Sequence, residues 1–187
     1  MKMKASGVML SMILVLTFWM NAWAAEPHAR AREFLQTTVV RSYFSEALDL
    51  KQSNLIYSLF TEDAKQHFNG YLHLTGVDQI YQNTAMANKI FTQFHTDIQD
   101  IAADGDKVVA HVTHTALCID STSPGFPGGP AYMPSRGGPI LLQGQTIQWE
   151  AMARFKFNKR LKIEEEWIVR DELNILLMSG TLTFENF

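Results

Sequence analysis

The sequence offers one carboxylate that could serve in acid/base catalysis on a predicted strand. Alternation along the last predicted strand, Leu161 to Val169, places Glu165 on the same face as Ile163 and Trp167. That face is expected to be buried, because one face of such a sheet packs on the core. Burial disfavours the charged form of a carboxylate and raises its pKa, which suits a general acid or base near neutral pH. Pairing of Glu165 with a cation on a neighbouring strand explains the position equally well.

The predicted strand 106–118 carries two histidines, His111 and His114, on opposite faces, so one of them must point inward. The sequence contains no H-x-H or H-E-x-x-H motif and no pair of cysteines at metal-ligand spacing. No metal site is therefore predicted. The sequence also lacks a Gly-rich phosphate loop and a G-x-S-x-G elbow. The single cysteine, Cys118, is interpreted as a small buried hydrophobe.

The predicted helices and the predicted strands occupy separate parts of the chain. Helical periodicity predicts helices over 29–50, over 53–60, and from Gly76 to about Phe91. The period then changes to alternation, and Asp104-Gly105 predicts a hairpin over 94–118. Two more strands are predicted, Gln145–Phe157 and Leu161–Val169, followed by a short helix from Asp171 to Met178. The order indicates an α+β domain, with helices on one face of a curved, four-stranded antiparallel meander and a cavity between the layers.

Aromatic side chains are expected to form the walls of that cavity. Alternation from Trp149 to Phe157 puts Trp149 and Phe155 on the inner face. With Trp167 and Tyr71 they are the predicted ligand contacts. A Pro/Gly-rich segment at about 121–144 can form neither a helix nor a central strand. We expect it to be a mobile insertion or a lid over the pocket.

The N-terminus has the pattern of a cleavable signal peptide over residues 1–24. Lys2 and Lys4 precede an apolar run from Val8 to Met20, which is shorter than the ~20 residues that cross a bilayer. An A-x-A site ends at Ala24. A single mature domain, 25–187, is therefore expected in the periplasm or outside the cell, with no membrane association after cleavage. Its formal net charge, −3 before two lysines are removed, argues against nucleic-acid binding.

Five segments, in order and at fitting spacing, resemble the SnoaL-like polyketide cyclase family, within the superfamily that includes nuclear transport factor two and ketosteroid isomerase. They are Val40-Arg41-Ser42-Tyr43-Phe44, Leu59 to His67, Asp100 to Val109, Lys162 to Trp167, and Asp171-Glu172-Leu173. The resemblance implies a cone-shaped α+β barrel with N-terminal helices on a curved antiparallel sheet. It also implies a homodimer that pairs through the outer sheet face.

The same resemblance suggests roles for individual residues. His67 matches a histidine that faces the cavity in many relatives, and His111 falls where relatives often carry a polar pocket residue, so His111 is the preferred inward histidine. Cyclases of the family perform intramolecular aldol condensation without metal or organic cofactor. Their acid/base carboxylate directly follows the position of Trp167, where this chain has Ile168, which cannot exchange a proton.

Besides a subunit that mainly dimerises, as the resemblance allows, the sequence leaves two functions open. One is a pocket for a small hydrophobic molecule, with cofactor-free aldol or isomerase chemistry on a carbonyl compound and with His67, His111 and Glu165 as its polar groups. The other is a non-catalytic ligand-binding or protein-interaction module. Whether the chain is an enzyme is not decided by its residues.

Overall fold

The computed structural model describes residues 27–119 and 144–171. The predicted signal peptide, nearly all of the Pro/Gly-rich segment and the predicted helix after Asp171 lie outside these ranges. In chain order the elements are helix α1 (27–42, continued as a π-helix over Tyr43–Asp49), a 3-10 turn (Ser53–Leu55), α2 (Ile56–Leu59), β1 (Phe60–Phe68), β2 (Tyr71–Thr75), α3 (Val77–Ile90), β3 (Phe91–Asp104), β4 (Lys107–Cys118), β5 (Thr146–Phe157) and β6 (Ile163–Arg170). Within the described ranges no helix is long and apolar enough to span a membrane.

The sheet has six strands in the order β2-β1-β6-β5-β4-β3. The β3–β4 and β5–β6 hairpins are confirmed, and β4 pairs with β5 antiparallel. The prediction of a four-stranded antiparallel sheet is wrong, because β1 and β2 were missed and β1 pairs with β6 in parallel. The pairing joins segments about a hundred residues apart, and β1 has no regular alternation of apolar residues to announce it.

The main core lies between the helices and the inner face of the sheet. Tyr43, Phe44 and Phe155 pack there edge to face or tilted, with ring centroids 5.3 to 5.9 Å apart. The π-helical turn widens the end of α1 and carries two polar side chains toward the sheet, those of Tyr43 and Asp49. Single π-helical turns of this kind are frequent at functional sites. The α+β class and the helices on one face of a curved sheet are as predicted.

Candidate functional site

A cavity of about 80 Å³ lies between the π-helical turn, α3 and the inner sheet face. Its wall is largely apolar. Ala151 on β5 leaves room there, since it presents only a methyl group next to the bulky Trp149. The polar side chains lining the cavity are Tyr43, Gln66, Asn83, Thr84, Asn88, His114 and Arg170.

His114 is the histidine that reaches this cavity, and it is held by a chain of hydrogen bonds. Its Nδ1 lies 3.0 Å from Thr96 Oγ1. The Thr96 hydroxyl lies 2.8 Å from Asp49 Oδ1, and its backbone N–H donates to Asp49 Oδ2 at 3.0 Å. A carboxylate only accepts and a hydroxyl has one proton, so Thr96 donates to Asp49 and accepts from His114 Nδ1–H. This fixes the tautomer and leaves Nε2 of His114 as a hydrogen-bond acceptor.

The surroundings of His114 keep it neutral. Its ring packs against Phe44, Phe94 and Trp149, with centroids 5.2 to 5.9 Å apart. Burial, with the positive charge of Arg170, lowers the pKa of His114 to about 3. Burial also raises the pKa of Asp49, although hydrogen bonds from Thr96 oppose the change. An imidazole in this state can accept a proton at neutral pH, provided that a negative charge forms nearby to balance it.

A second polar cluster joins β1, β6 and the π-helical turn. Gln66 and Glu166 are register partners on β1 and β6, both buried, and their side chains meet at 2.6 Å between Gln66 Nε2 and Glu166 Oε2. Burial raises the pKa of Glu166 to about 8, against hydrogen bonds from Gln66 and Tyr43 that lower it. Burial and then the nearby Glu166 raise the pKa of Tyr43. The carboxyl group is therefore mainly protonated at pH 7.

Glu166, and not Glu165, is the carboxylate on the apolar side, so the prediction for Glu165 is wrong. The cause is an irregularity in the β5–β6 pairing. Phe157 pairs with Ile163 but Lys156 pairs with Glu165, so β6 has one extra residue at that point. A bulge of this kind reverses the faces of all later residues. Glu166 is fully buried, and Ile168 and Arg170 line the cavity.

Glu165 and His67 meet on the outer face of the sheet instead. His67 Nε2 lies 2.7 Å from Glu165 Oε1, and both side chains are half-buried. The His67 ring stacks on Trp167 at 5.2 Å, and the guanidinium carbon of Arg154 lies 4.0 Å from the centroid of the Trp167 ring. The partner of Glu165 on the neighbouring strand is thus a histidine. His67 and Trp167 do not line the cavity, contrary to prediction.

The preference for His111 is also wrong. His111 lies on the outer face, where its Nε2 is 3.4 Å from Glu150 Oε2. The sequence contained the signal for His114, since it shares a face with Val108, Ala110, Val112, Ala116 and Cys118, all buried. The preference for His111 followed the family resemblance and not the alternation of buried residues along β4.

The predicted aromatic contacts divide in the same way. Trp149 lines the cavity as expected. Phe155 is on the inner face but is packed in the core among Tyr43 and Phe44. Nothing is described for the side chain of Tyr71. Sequence reasoning missed Gln66, Glu166, Asp49 and Thr96, because their roles depend on partners distant in the chain.

Within residues 27–119 and 144–171, no cluster of three histidine, cysteine or acidic side chains could hold a metal ion. A larger depression of about 770 Å³ lies between the start of α1 and the β5–β6 turn, but it is open and its lining carries charges of both signs. The 80 Å³ cavity is thus the better candidate site.

A sequence profile of the SnoaL-like polyketide cyclase family matches residues 37–177, and the chain belongs to this family. Comparison with curated proteins gives no significant match. Among solved structures, a Jannaschia sp. CCS1 protein described as a SnoaL-like polyketide cyclase is 16% identical (TM-score 0.63, covering 81% of this chain and 95% of that one). An LEH-like epoxide hydrolase of M. tuberculosis is 13% identical (TM-score 0.58, 80% and 92%). A Catenulispora acidiphila protein with a ketosteroid isomerase-like fold is 15% identical (TM-score 0.56, 76% and 92%). At these identities the likeness concerns the fold.

Proposed function

We propose that this chain is an exported protein whose cavity binds a small, mainly apolar carbonyl compound and transfers a proton on it without a cofactor. The observation that carries the proposal is the hydrogen-bonded series Asp49–Thr96–His114 ending at the cavity. In this proposal His114 is the general base, the role that the sequence analysis gave to Glu165 or His67. The reaction then needs no carboxylate at the position of Ile168.

In the proposed reaction, His114 Nε2 removes a proton from the carbon next to the carbonyl group. The electron pair of that C–H bond moves to the carbonyl oxygen and forms an enolate, which the nearby Arg170 stabilises. The enolate charge offsets the burial that otherwise disfavours imidazolium at His114. Return of the proton to a different carbon gives isomerisation. Attack of the enolate on a second carbonyl of the same molecule gives an aldol, whose alkoxide takes the proton back from His114.

Cavity size limits the compound. A cavity of about 80 Å³ is smaller than the ~150 Å³ that holds benzene in a protein core. The cavity is partly open, so a slim ligand such as a short-chain ketone can enter with one end at the mouth, whereas a fused polycyclic substrate does not fit the cavity in this form.

Hydrogen–deuterium exchange tests the chemistry before a natural substrate is known. Small ketones such as 2-pentanone are incubated with protein in D₂O, and NMR measures loss of the protons beside the carbonyl. We expect exchange above buffer background for the native protein. His114→Asn, whose amide can still donate to Thr96, should lose it, whereas Glu165→Gln on the outer face should keep it. Background exchange with every ketone would refute the catalytic part, and exchange that survives His114→Asn would refute the assignment of the base.

Binding is tested separately by native mass spectrometry of the protein from an exporting host. A co-purifying small molecule would support the pocket and identify its chemical class. A ligand without turnover would favour the non-catalytic alternative. The same spectrum tests export, because a mature chain starting at Ala25 is expected in the periplasm or medium and an intact Met1 chain would contradict it.

We also propose that two copies pair through the outer face of the sheet. Val109, Met152 and Val169 are exposed there on three adjacent strands, and contiguous exposed apolar residues commonly mark interaction sites. Light scattering coupled to size exclusion should give the mass of a homodimer, and a monomer at micromolar concentration would reject the pairing.

A further inference from the structure

The contact between Gln66 and Glu166 is unusually short for an amide donor. The two polar atoms are 2.6 Å apart, whereas N–H···O bonds in proteins span roughly 2.7–3.2 Å and O–H···O bonds roughly 2.5–3.0 Å. The separation therefore suits a proton lying between two oxygens. Rotating the Gln66 amide by half a turn exchanges its nitrogen and oxygen. The Gln66 oxygen then accepts the O–H of a protonated Glu166.

The present orientation also leaves buried atoms without partners. Gln66 Oε1 and Glu166 Oε1 are both buried, and neither makes a hydrogen bond within the described part of the chain. Asn83 on α3 adds another buried amide oxygen that has no partner among the described residues, and both amides line the cavity. Leaving such groups unpaired costs folding free energy unless a partner arrives. This part of the cavity can thus hydrogen-bond a ligand. The orientation of the Gln66 amide decides whether it offers the ligand an N–H donor or an oxygen acceptor.

The surroundings of Glu166 favour the protonated acid. It is fully buried, with Phe155 opposite on β5, Gln66 opposite on β1, and Tyr43 approaching from the π-helical turn. Among the described residues Tyr43 is the only titratable group that acts on it. Arg170, whose side chain lines the cavity, is two inward-facing positions further along β6. At strand spacing its Cα is about 13 Å from the Cα of Glu166. Within the described residues, therefore, no cation acts on the Glu166 carboxyl group to hold it in its charged form.

We infer that Glu166 is a positioning residue: by donating its proton to the Gln66 oxygen, it turns the Gln66 amide N–H groups toward the cavity, so that this part of the cavity binds an acceptor oxygen of the ligand, such as a carbonyl. The inference rests on the proposed function, because it names the chemical group that the same cavity recognises. It assigns Gln66 to an acceptor oxygen of the ligand and Glu166 to Gln66.

Ionisation of Glu166 reverses this preference. A carboxylate can only accept, so Gln66 must then donate its N–H to Glu166 and present its oxygen to the cavity. That oxygen repels a ketone and accepts from an alcohol. Burial puts the pKa of Glu166 at about 8, so the change should fall between pH 7 and 9.

The test compares two probes of the same shape, 2-pentanone and 2-pentanol, by NMR titration of the full-length mature protein at pH 6 and pH 9.5. We expect 2-pentanone to bind about tenfold more weakly at pH 9.5, the size of one lost neutral hydrogen bond, and 2-pentanol to bind no more weakly. Glu166→Gln, which cannot ionise, should bind 2-pentanone equally at both pH values. Glu165→Gln, the same change one residue earlier on the outer face, should retain the native pH dependence.

A measurement without ligand keeps the inference separate from the proposed function. The ¹³C shift of the Glu166 carboxyl, assigned by its absence in Glu166→Gln, should titrate near pH 8 together with the side-chain ¹⁵N shift of Gln66. Titration of Glu166 below pH 6 would overturn the inference, as would an unchanged pH dependence in Glu166→Gln. Failure of both probes to bind, with the titration near pH 8 intact, would refute the proposed pocket function and the ligand assignment while leaving the Glu166–Gln66 coupling established.

Discussion

Replacing Glu166 by glutamine should make the protein more stable at alkaline pH and leave it nearly unchanged at pH 4.5. In the folded state, burial raises the pKa of Glu166 from 4.5 to about 8. Below pH 4.5 the carboxyl group is protonated in both the folded and the unfolded chain, so it contributes no pH dependence. Between pH 4.5 and 8 only the folded chain holds the proton, and the free energy of unfolding falls by about 1.4 kcal/mol per pH unit. The loss is complete above pH 8 and is on the order of 5 kcal/mol.

Urea denaturation followed by tryptophan fluorescence at pH 5, 7 and 9 measures this difference. Glutamine is neutral at every pH and similar in shape, so the gap between Glu166→Gln and the native protein should widen steadily from pH 5 to pH 9. Glu165→Gln makes the same chemical change on the half-buried outer face and leaves Glu166 in place, so it should show the native loss of stability between pH 7 and pH 9. Parallel curves for Glu166→Gln and the native protein would refute the reasoning, because they would mean that Glu166 ionises in the folded state as easily as in the unfolded chain.

Three further variants test other parts of the structure. Thr96→Val removes the hydroxyl between Asp49 and His114 and should lower the free energy of unfolding by about 1–3 kcal/mol, since His114 stays buried and Asp49 half-buried without that partner. Thr96→Ser should restore most of the loss in urea denaturation, and equal losses in the two variants would contradict the hydrogen-bonded bridge. Ala151→Leu fills the cavity and should abolish 2-pentanone binding in NMR titrations. Overpacking should also lower the free energy of unfolding by about 1–3 kcal/mol. Unaltered binding would mean that the ligand binds elsewhere. Met152→Lys puts a charge in the exposed apolar patch and should give a monomer by light scattering with unchanged thermal stability, whereas a persisting dimer would exclude this face from the interface.

Local signals sufficed for much of the fold. Helix α3 and the β3–β4 hairpin were predicted because apolar spacing and the Asp104-Gly105 turn act over a few neighbouring residues. Alternation also placed Trp149 and Phe155 on the inner face of β5. For His114 the alternation of β4 was present in the sequence, and giving it more weight than the family resemblance would have identified the inward histidine.

The sequence by itself determined the α+β class, the hairpins and the apolar faces of β4 and β5, since these depend on residues close together in the chain. Only the tertiary structure decided that β1 pairs with β6, that a bulge in β6 turns Glu166 inward and Glu165 outward, and that Asp49, Thr96 and His114 form one hydrogen-bonded series. The reason is physical: one extra residue in a strand reverses every later side chain, and a buried carboxyl or hydroxyl acquires its pKa and its partners from segments that meet only when the chain has folded.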